Sequence, residues 1–485
     1  MSNQGEKKGV SAIDFFCLGF GAIVGVGWAV SINGWMAGSG GPVPAALGYV
    51  LCLVIMIPIG LAYAELVPML PVAGGGAAFA HAAFGEVVSF ISGWSAFGAF
   101  VAIIPWEAIQ ITDVLSYLIP SLREGDALYS VMDSEIRLKV VIIGIVFSIL
   151  LFLLNMRGLS AAAGVQKFLC IFLVAAGVIG AVAALIGGDP QNLQPLYDGS
   201  VADVTPNNML GGAFGILCTA AFFLAGFETI PQGVEDAGGD VKSVGKTVVI
   251  SVTAACVFYA ILLFCFGYGY DWEKFLGMEN PAAANMFTYV FEGGAGTFMY
   301  WLIVIGALAG LFTTWNGFFT ASANLMMALA RGRMVPQLFA KQNKDGVAVN
   351  GLILVLILSC CGPFLGANMI NTVTAFSATA FILSWMITTW SLLKLRKTMP
   401  NANRPYKMPT GLAYFGAVVT TIYFVGCFIP ICPWFATWPA IWAFLGYLVI
   451  GAILYAASAG QRKQLAPAER EKAMFGDLDL EKMKG

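Results

Sequence analysis

Residues 19–28 read GFGAIVGVGW, a stretch in which four glycines interrupt an otherwise apolar segment. A second apolar segment is interrupted at residues 222–231, which read FFLAGFETIP. Irregular backbone at the depth of a bilayer is tolerated only where protein buries it or where it borders a wet cavity. Two such interruptions at corresponding places in two halves of a chain are the best sequence indication of a transporter's binding site.

The composition around these two stretches is that of a membrane protein. Of the 485 residues, 59% are hydrophobic and only 11% are charged, and the mean hydropathy is +0.82. Soluble domains carry roughly 25% charged residues, so most of this chain is expected to lie in a lipid bilayer. Nothing in the charge distribution suggests a nucleic-acid partner.

The hydrophobic segments predict an all-α integral membrane protein with twelve transmembrane helices, since about 20 apolar residues cross the hydrocarbon layer. The predicted spans are residues 13–37, 42–67, 87–119, 138–156, 161–187, 209–234, 247–269, 296–330, 350–366, 369–393, 411–430 and 434–458. The first and sixth spans contain the two interruptions, so these helices are expected to be discontinuous.

Lysine and arginine residues are sorted between the two sides of the predicted membrane. With both termini in the cytoplasm, 21 of the 25 fall in cytoplasmic segments, beginning with Lys7 and Lys8. Cytoplasmic loops of membrane proteins carry such an excess. We therefore expect a multi-pass protein of the cell (cytoplasmic) membrane with both termini inside.

The two interrupted helices divide the chain into repeats. Five spans follow from each interruption, and an odd number requires the two halves to have opposite orientations, which is a 5+5 inverted repeat. The predicted divisions are residues 1–200 for the first repeat, 201–400 for the second and 401–460 for spans eleven and twelve. Residues 461–485 alternate in charge and are predicted to form a solvated cytoplasmic tail.

The first interruption offers backbone donors to an anion. Unwinding frees amide N–H groups at the start of the second half-helix, where the helix dipole favours negative charge. The predicted substrate-binding residues here are Ile23, Gly25, Val26, Gly27 and Trp28. The alternative is that Gly21 and Gly25 form a small-xxx-small packing face, although Gly27 and the dense clustering of glycines favour unwinding.

The second interruption offers carbonyl groups to a cation, because a helix C-terminus carries negative partial charge. The predicted substrate-binding residues here are Phe222, Phe223, Ala225 and Gly226. The two phenylalanines are expected to form aromatic walls, with Phe222 also a candidate gate. One of them could instead pack against lipid or protein.

Four further motifs occur in a fixed order along the chain. They are AYAEL at residues 62–66 with PVAGG at 71–75, FG at 84–85 with GW at 93–94, residues 222–227 with GVED at 233–236, and ALARGRMVP at 328–336. Their order and separation resemble those of permeases of the amino acid–polyamine–organocation (APC) superfamily over spans one to ten. The resemblance implies a LeuT-type fold, in which spans one and six hold the substrate against spans three, eight and ten.

Two positions depart from the pattern of that superfamily. Many members have a hydroxyl or a very small residue where this chain has Val26, which offers no side-chain donor and narrows the approach of a carboxylate. Several members carry a lysine in span five, thought to stand in for a sodium ion, and here that position is Leu173. We expect neither a sodium site nor its lysine surrogate, and no other metal or cofactor.

Two carboxylates inside predicted spans are functional candidates, because charged groups are costly there. Glu107 lies in the middle of span three, where the resemblance implies contact with the distal end of the substrate, and its carboxylate would suit a cationic group. Glu228 matches a carboxylate that recurs in relatives. Both are candidates for proton coupling or gating; the alternatives are a protonated, hydrogen-bonded Glu107 and a structural bond from Glu228 to a neighbouring span.

Other side chains are weaker candidates. An aromatic box suited to an ammonium ligand could be formed by Trp28, Trp106, Trp315 and Phe318, although aromatic residues in spans more often pack. Glu65 is expected to pair with a cation of a cytoplasmic loop. His81, the only histidine, is expected in an inner loop without a special role.

These patterns predict a secondary transporter rather than an enzyme or a channel. The sequence has no nucleophile motif, metal-ligand cluster or phosphate loop, and an internal repeat favours alternating access over the symmetric rings of a channel. Glu107 and Val26 favour a cationic or amine-rich substrate, with protons coupled to transport or with exchange. The alternative is a zwitterionic neutral amino acid, and the oligomeric state is left open.

Overall fold

The computed structural model describes residues 10–202, 204–237 and 241–484. Lys7 and Lys8 therefore lie outside the described residues. Long helices dominate the described chain. They are α1 (Ala12–Ile23), α2 (Gly27–Val30), α3 (Ile32–Ser39), α4 (Pro42–Met69), α5 (Gly76–Phe84), α6 (Glu86–Leu118), α7 (Leu138–Asn155), α8 (Leu159–Gly187), α9 (Met209–Gly215), α10 (Leu217–Leu224), α11 (Thr229–Gln232), α12 (Val241–Gly269), α13 (Trp272–Leu276), α14 (Ala282–Val290), α15 (Gly293–Arg331), α16 (Val349–Cys361), α17 (Ile370–Thr398), α18 (Thr410–Gly426), α19 (Trp438–Ala457), α20 (Ala459–Lys463), α21 (Pro467–Phe475) and α22 (Leu480–Met483).

The all-α prediction is confirmed, and helices occupy all twelve predicted spans. Nine helical segments of the described chain are long and apolar enough to cross a membrane. The shorter apolar helices α16 and α18 occupy the ninth and eleventh predicted spans. The sixth predicted span is divided among α9, α10 and α11. A count of twelve crossings remains a prediction.

Both predicted helix interruptions are present. The first separates α1 from α2 at residues 24–26, and the second separates α10 from α11 at residues 225–228. Ser11 starts α1 with a capping box, because its side chain accepts the Asp14 N–H while the Asp14 carboxylate accepts the Ser11 N–H. The helix therefore has a defined start and ends where the glycine-rich stretch begins.

One short sheet departs from the helical pattern. Strands β1 (Ala127–Val131) and β2 (Ser134–Arg137) form an antiparallel hairpin between α6 and α7. Asn368 holds this hairpin, since its N–H donates to the Ser134 hydroxyl at 2.9 Å. The alternating side chains of so short a hairpin gave no clear sequence signal.

Five described lysines and arginines form ion pairs that link different helices. They are Arg331 at the end of α15, Arg396 at the end of α17, Arg404 in the loop after α17, Lys167 near the start of α8 and Arg470 of α21. We call this side of the bundle the basic face. The carboxyl-terminal segment lies on it, but it is not simply solvated as predicted. Met474, Phe475 and Leu480 are buried there, and Arg470 forms an ion pair with Glu86 of α6 at 2.6 Å.

Packing around α15 brings the two interrupted helices together. Helix α15 contacts α1, α6, α8 and α11, while α12 packs along α4 and α1. Glycines permit these close approaches: a Cβ on Gly25 would lie 2.7 Å from the Thr314 hydroxyl of α15. The helix break and the small-residue packing face, which were alternatives for this stretch, therefore occur together.

Candidate substrate site

The first interruption leaves backbone donors unpaired. The N–H groups of Val26, Gly27 and Trp28 have no hydrogen-bond acceptor within the described ranges. The carbonyl of Val26, in contrast, accepts the Ala29 N–H at 3.0 Å and so already belongs to the next helical turn. This arrangement is the start of a helix with open donors, which favours an anion.

The second interruption leaves backbone acceptors unpaired. Among the described residues, no backbone N–H donates to the carbonyls of Phe222, Phe223 or Ala225. Ala225 adopts an extended conformation, with φ −72° and ψ 148°, so the helical ladder stops there. Open carbonyls at a helix end favour a cation.

Gly226 joins the two interruptions. Its φ is +137°, a conformation that residues with a side chain rarely adopt. A Cβ at this position would lie 2.5 Å from the amide nitrogen of Ile23 and 2.6 Å from the carbonyl carbon of Ala22. Only glycine therefore allows the backbones of the two broken helices to touch.

A cavity of about 30 Å³ lies between the two interruptions. It is lined by Ala22, Ile23, Gly25, Val26, Gly27, Ile103, Trp106, Glu107, Phe222, Phe223, Ala225, Thr314 and Phe318. Ligand pockets usually measure roughly 300–1,000 Å³, so this cavity is collapsed and must widen to admit a substrate.

Glu107 is the acidic side chain in this lining. It is only 3% exposed, and its Oε2 atom has no hydrogen-bond partner among the described residues. A buried polar atom without a partner is costly, so a ligand group that bonds to Oε2 would remove that cost. Within the described residues, Oε2 lacks the bond that the alternative of a hydrogen-bonded Glu107 would require, while a protonated Glu107 stays open.

Glu228 is the last residue of the second interruption but does not line the cavity. One carboxylate oxygen accepts the Gly226 N–H at 2.8 Å, and the other accepts the indole N–H of Trp385 on α17. The expected bond to a neighbouring span is thus present. It does not test the proton-coupling role, because a residue that titrates can also make such bonds.

Ten of the thirteen predicted substrate-binding residues line the cavity, and three do not. Trp28, a residue of α2, is fully buried and packs edge-on against Phe258 of α12, with ring centroids 6.3 Å apart. Trp315 of α15 packs toward α16 instead, where its N–H donates to the Ser359 hydroxyl at 3.2 Å. The third, Gly226, contacts the backbone of Ala22 and Ile23, which do line the cavity. Because only Trp106 and Phe318 of the four predicted rings reach the cavity, the aromatic box does not form around it.

Three lining residues were not predicted: Ala22, Ile103 and Thr314. Ile103 precedes Glu107 by four residues on α6, and Thr314 precedes Phe318 by four residues on α15. Residues at that spacing share a helix face. Helical spacing from the predicted residues would therefore have identified two of the three.

Spans one, three, six and eight supply the lining, whereas span ten does not. Its contribution is indirect, through the bond from Trp385 to Glu228. Leu173 of α8 lies at the interruption, because a Cβ on Gly310 would be 3.2 Å from Leu173 and 2.8 Å from the carbonyl carbon of Gly25. The position beside the first interruption that carries a lysine in several superfamily members is thus occupied here by an apolar side chain, as predicted.

The remaining candidates lie on the basic face. Glu65 pairs with Arg396 and with Arg404, as the loop-cation prediction anticipated. His81 is not in a loop: it lies in α5, is buried, and contacts the ring of Phe475 at 5.6 Å. Burial lowers the pKa of His81, while the nearby Glu86 raises it.

Two discontinuous helices around a small central cavity define a membrane transport protein of the broken-helix class. A family model described as amino acid permease matches residues 10–454. The chain therefore belongs to the amino acid permease family, within the APC superfamily, and it is a transporter rather than an enzyme.

Curated relatives are similar to this chain over most of its length. The branched-chain amino acid permease BcaP of Lactococcus lactis is 24% identical over 428 residues, which cover 85% of this chain and 86% of the relative. The aspartate-proton symporter of Bacillus subtilis is 25% identical, covering 86% and 78%. The arginine/ornithine antiporter ArcD2 of Lactococcus lactis is 25% identical, covering 79% and 78%.

Proposed function

We propose that this permease moves a cationic amino acid or a related amine across the cytoplasmic membrane by alternating access. The observation that carries the proposal is the Oε2 atom of Glu107, which is buried, unpaired and part of the cavity lining. A substrate with a cationic or donor-rich end would supply the missing partner, and charge-assisted hydrogen bonds are the stronger kind.

The rest of the lining supports a substrate with an amine. The open carbonyls of the second interruption suit an ammonium group, while the open N–H groups of the first suit a carboxylate if the substrate has one. No lysine, arginine or histidine is part of the described lining. An acidic substrate would therefore bring its second carboxylate against Glu107 without a cation to balance it.

The movement is proposed from the two halves of the chain. The interruptions occur in the first and sixth predicted spans, which is the arrangement of an inverted repeat with residues 1–200 and 201–400 as its halves. Spans one, two, six and seven would rock against the others, with the basic face in the cytoplasm. Proton coupling is proposed for Glu228, whose carboxylate bonds both the second interruption and α17.

A neutral zwitterionic amino acid is the second candidate. The apolar side chains of Val26, Ile103 and Phe318 favour it, because they would surround an aliphatic substrate. In that case Glu107 carries a proton. The two candidates differ in what Glu107 contributes, so one variant separates them.

Uptake by the purified protein in liposomes, with competition by a panel of amino acids and amines, tests the proposal. Cationic amino acids, diamines or ethanolamine should compete in the wild type. In Glu107→Gln they should bind about tenfold more weakly, because the hydrogen bond then goes to a neutral amide oxygen instead of a charged carboxylate. The exposed Glu124→Gln removes an equal charge outside the bundle and should change nothing. Competition by neutral amino acids alone would overturn the amine proposal and support the second candidate.

A further inference from the structure

Three ion pairs between helices on the basic face share one polarity. Their carboxylates belong to the helices proposed to rock: Asp14 of α1, Glu65 of α4, and Glu235 just after α11. Their cationic partners belong to the helices that would not rock, which we call the framework (α8, α15 and α17 here), and to the loop after α17. The partners are Lys167 of α8, Arg396 of α17 together with Arg404 of the following loop, and Arg331 of α15.

The pair of Glu235 and Arg331 has the most defined geometry. Arg331 contacts both carboxylate oxygens, with Nη1 at 2.6 Å from Oε1 and Nη2 at 3.2 Å from Oε2. The Ala73 N–H also donates to Oε1 at 2.9 Å. This fork geometry gives a stronger and more directional pair than a single contact. It ties the end of the sixth span to α15 and to the loop after α4.

The pair of Glu65 is the most buried. Glu65 is fully buried, and Arg396 and Arg404 are 10% and 9% exposed. The Met408 N–H donates to the same carboxylate at 2.9 Å. A buried carboxylate that loses such partners is left uncompensated, which is strongly unfavourable. Separation of α4 from α17 on this side therefore requires water to enter.

The third pair joins Asp14 and Lys167 at 3.2 Å, and both side chains are partly exposed. It lies next to a second link between α1 and α8, in which the Gln166 side-chain amide donates to the Cys17 carbonyl at 3.4 Å. The first half of the interrupted helix is thus fastened to the framework at its outermost turn and again one turn further in.

Helix direction explains much of this polarity. Arg331 and Arg396 lie in the last turns of α15 and α17, where the helix dipole favours cations. Asp14 lies in the first turn of α1, where it favours an anion. Glu65 is in the unfavourable last turns of α4 and is offset by two arginines. Within the described ranges, the other side-chain ion pairs are of two kinds. One joins Arg470 of the carboxyl-terminal segment to Glu86 of α6, and the rest join residues two or three positions apart.

From this arrangement we infer that the three pairs are an ionic latch that holds the basic face closed. The inference rests on the proposed alternating access, in which the rocking helices leave the framework on this side. Each pair must separate for that side to open, and the collapsed central cavity is consistent with the fastened state. The latch thereby sets the fraction of molecules that are open to the cytoplasm.

Labelling of Cys17 by a thiol reagent on the basic face tests the latch without any substrate. Cys17 is 3% exposed, and α1 packs against α8, α12 and α15, so its thiol should become accessible when α1 moves away from these helices. The other cysteines are replaced, and Cys17→Ser gives the background. Glu235→Gln is the informative variant, because its amide oxygen still accepts the Ala73 N–H while the charge is lost. It should label about two- to fivefold faster than the parent, as expected for one partly exposed ion pair.

Further variants complete the test. Arg331→Gln should have the same effect, and the double variant should label no faster than either single one, because the two residues act as one pair. Asp14→Asn should also increase labelling, while Asp271→Asn, which breaks a local pair with Lys274, should not. Unchanged labelling in all three latch variants, or an equal rise in the Asp271 control, would overturn the latch. Faster labelling in a protein that transports no amine or amino acid would leave the latch intact and refute the proposed function.

Discussion

The two interrupted helices treat their freed backbone groups differently. The first contains no charged side chain, and no group of the described chain accepts from the N–H groups of Val26, Gly27 and Trp28. The second contains Glu228, whose carboxylate accepts the Gly226 N–H and the Trp385 indole. The first interruption therefore leaves N–H donors open. In the second, the Glu228 carboxylate pairs the Gly226 N–H, and the groups left open are carbonyls.

In the proposed binding mode, this difference distinguishes the two ends of the site. The end that would receive an anion offers backbone N–H groups, which do not titrate. The end that would receive a cation belongs to the interruption that also contains Glu228, whose carboxylate accepts the Gly226 N–H. A change in the proton bound to Glu228 would thus act on one end of a substrate only, and substitutions in the two interruptions should have separable effects.

The largest effect is expected where the two interruptions touch. Gly226→Ala would place a Cβ 2.5 Å from the Ile23 nitrogen, at a backbone φ of +137°. Strained backbone alone costs about 1–3 kcal/mol, and the clash adds to it, so transport should fall at least about tenfold and thermal stability should drop. Uptake and fluorescence-monitored melting measure these effects.

Gly34→Ala is the matched control, because a Cβ at Gly34 of α3 would meet no atom within 4 Å. Normal transport and stability of Gly226→Ala would show that the backbones do not touch as described.

A smaller effect is expected in the second interruption. In Glu228→Gln one oxygen is replaced by an NH₂ group, which cannot accept from the Gly226 N–H or from Trp385. Loss of one such bond costs about 1–3 kcal/mol, so stability should decrease measurably. If Glu228 carries the coupled proton, uptake by the variant should also lose its dependence on the proton gradient.

Trp385→Phe separates the two consequences, since it removes one donor and keeps the carboxyl group. It should lower stability and retain proton dependence. Unchanged pH dependence in Glu228→Gln, or uptake by the wild type that requires a sodium gradient, would exclude the coupling role.

The smallest effect is expected in the first interruption, and it is a gain. Val26→Ser adds a hydroxyl donor where the side chain lines the cavity. A neutral hydrogen bond contributes about 0.5–1.5 kcal/mol, so substrates with a carboxylate should bind about two- to tenfold more tightly. Competition assays with an amino acid and its decarboxylated amine measure the difference between them.

Val26→Ala keeps the cavity enlargement without the donor and serves as the control. Equal gains for the amino acid and for the amine would mean that no carboxylate binds at this interruption.

The helices and their interruptions could be predicted because both depend on local properties. Hydropathy over about 20 residues marks a span, and glycine clusters mark where a helical ladder stops. The seventh and tenth spans proved longer at their basic-face ends, reaching Val241 and Thr398, because polar turns continue a helix beyond the apolar core.

The orientation of side chains and the docking of polar segments could not be predicted. Trp28 and Trp315 occupy the expected helices but face away from the cavity, and residue type does not determine which helix face is inward. Phe475 is buried against α5 in a segment whose charges indicated a solvated tail. Such contacts join residues that are hundreds of positions apart, so no local pattern reports them.

The contact of Gly226 with the backbone at Ala22 and Ile23 fixes more than the packing of two helices. It sets the separation between the donors of one interruption and the acceptors of the other, with no intervening side chain that could adjust by rotation. In the proposed binding mode, a substrate that carries both a carboxylate and an ammonium group has to match this separation. Amino acids with one or two extra carbons between these two groups should then compete more weakly than α-amino acids with the same side chain.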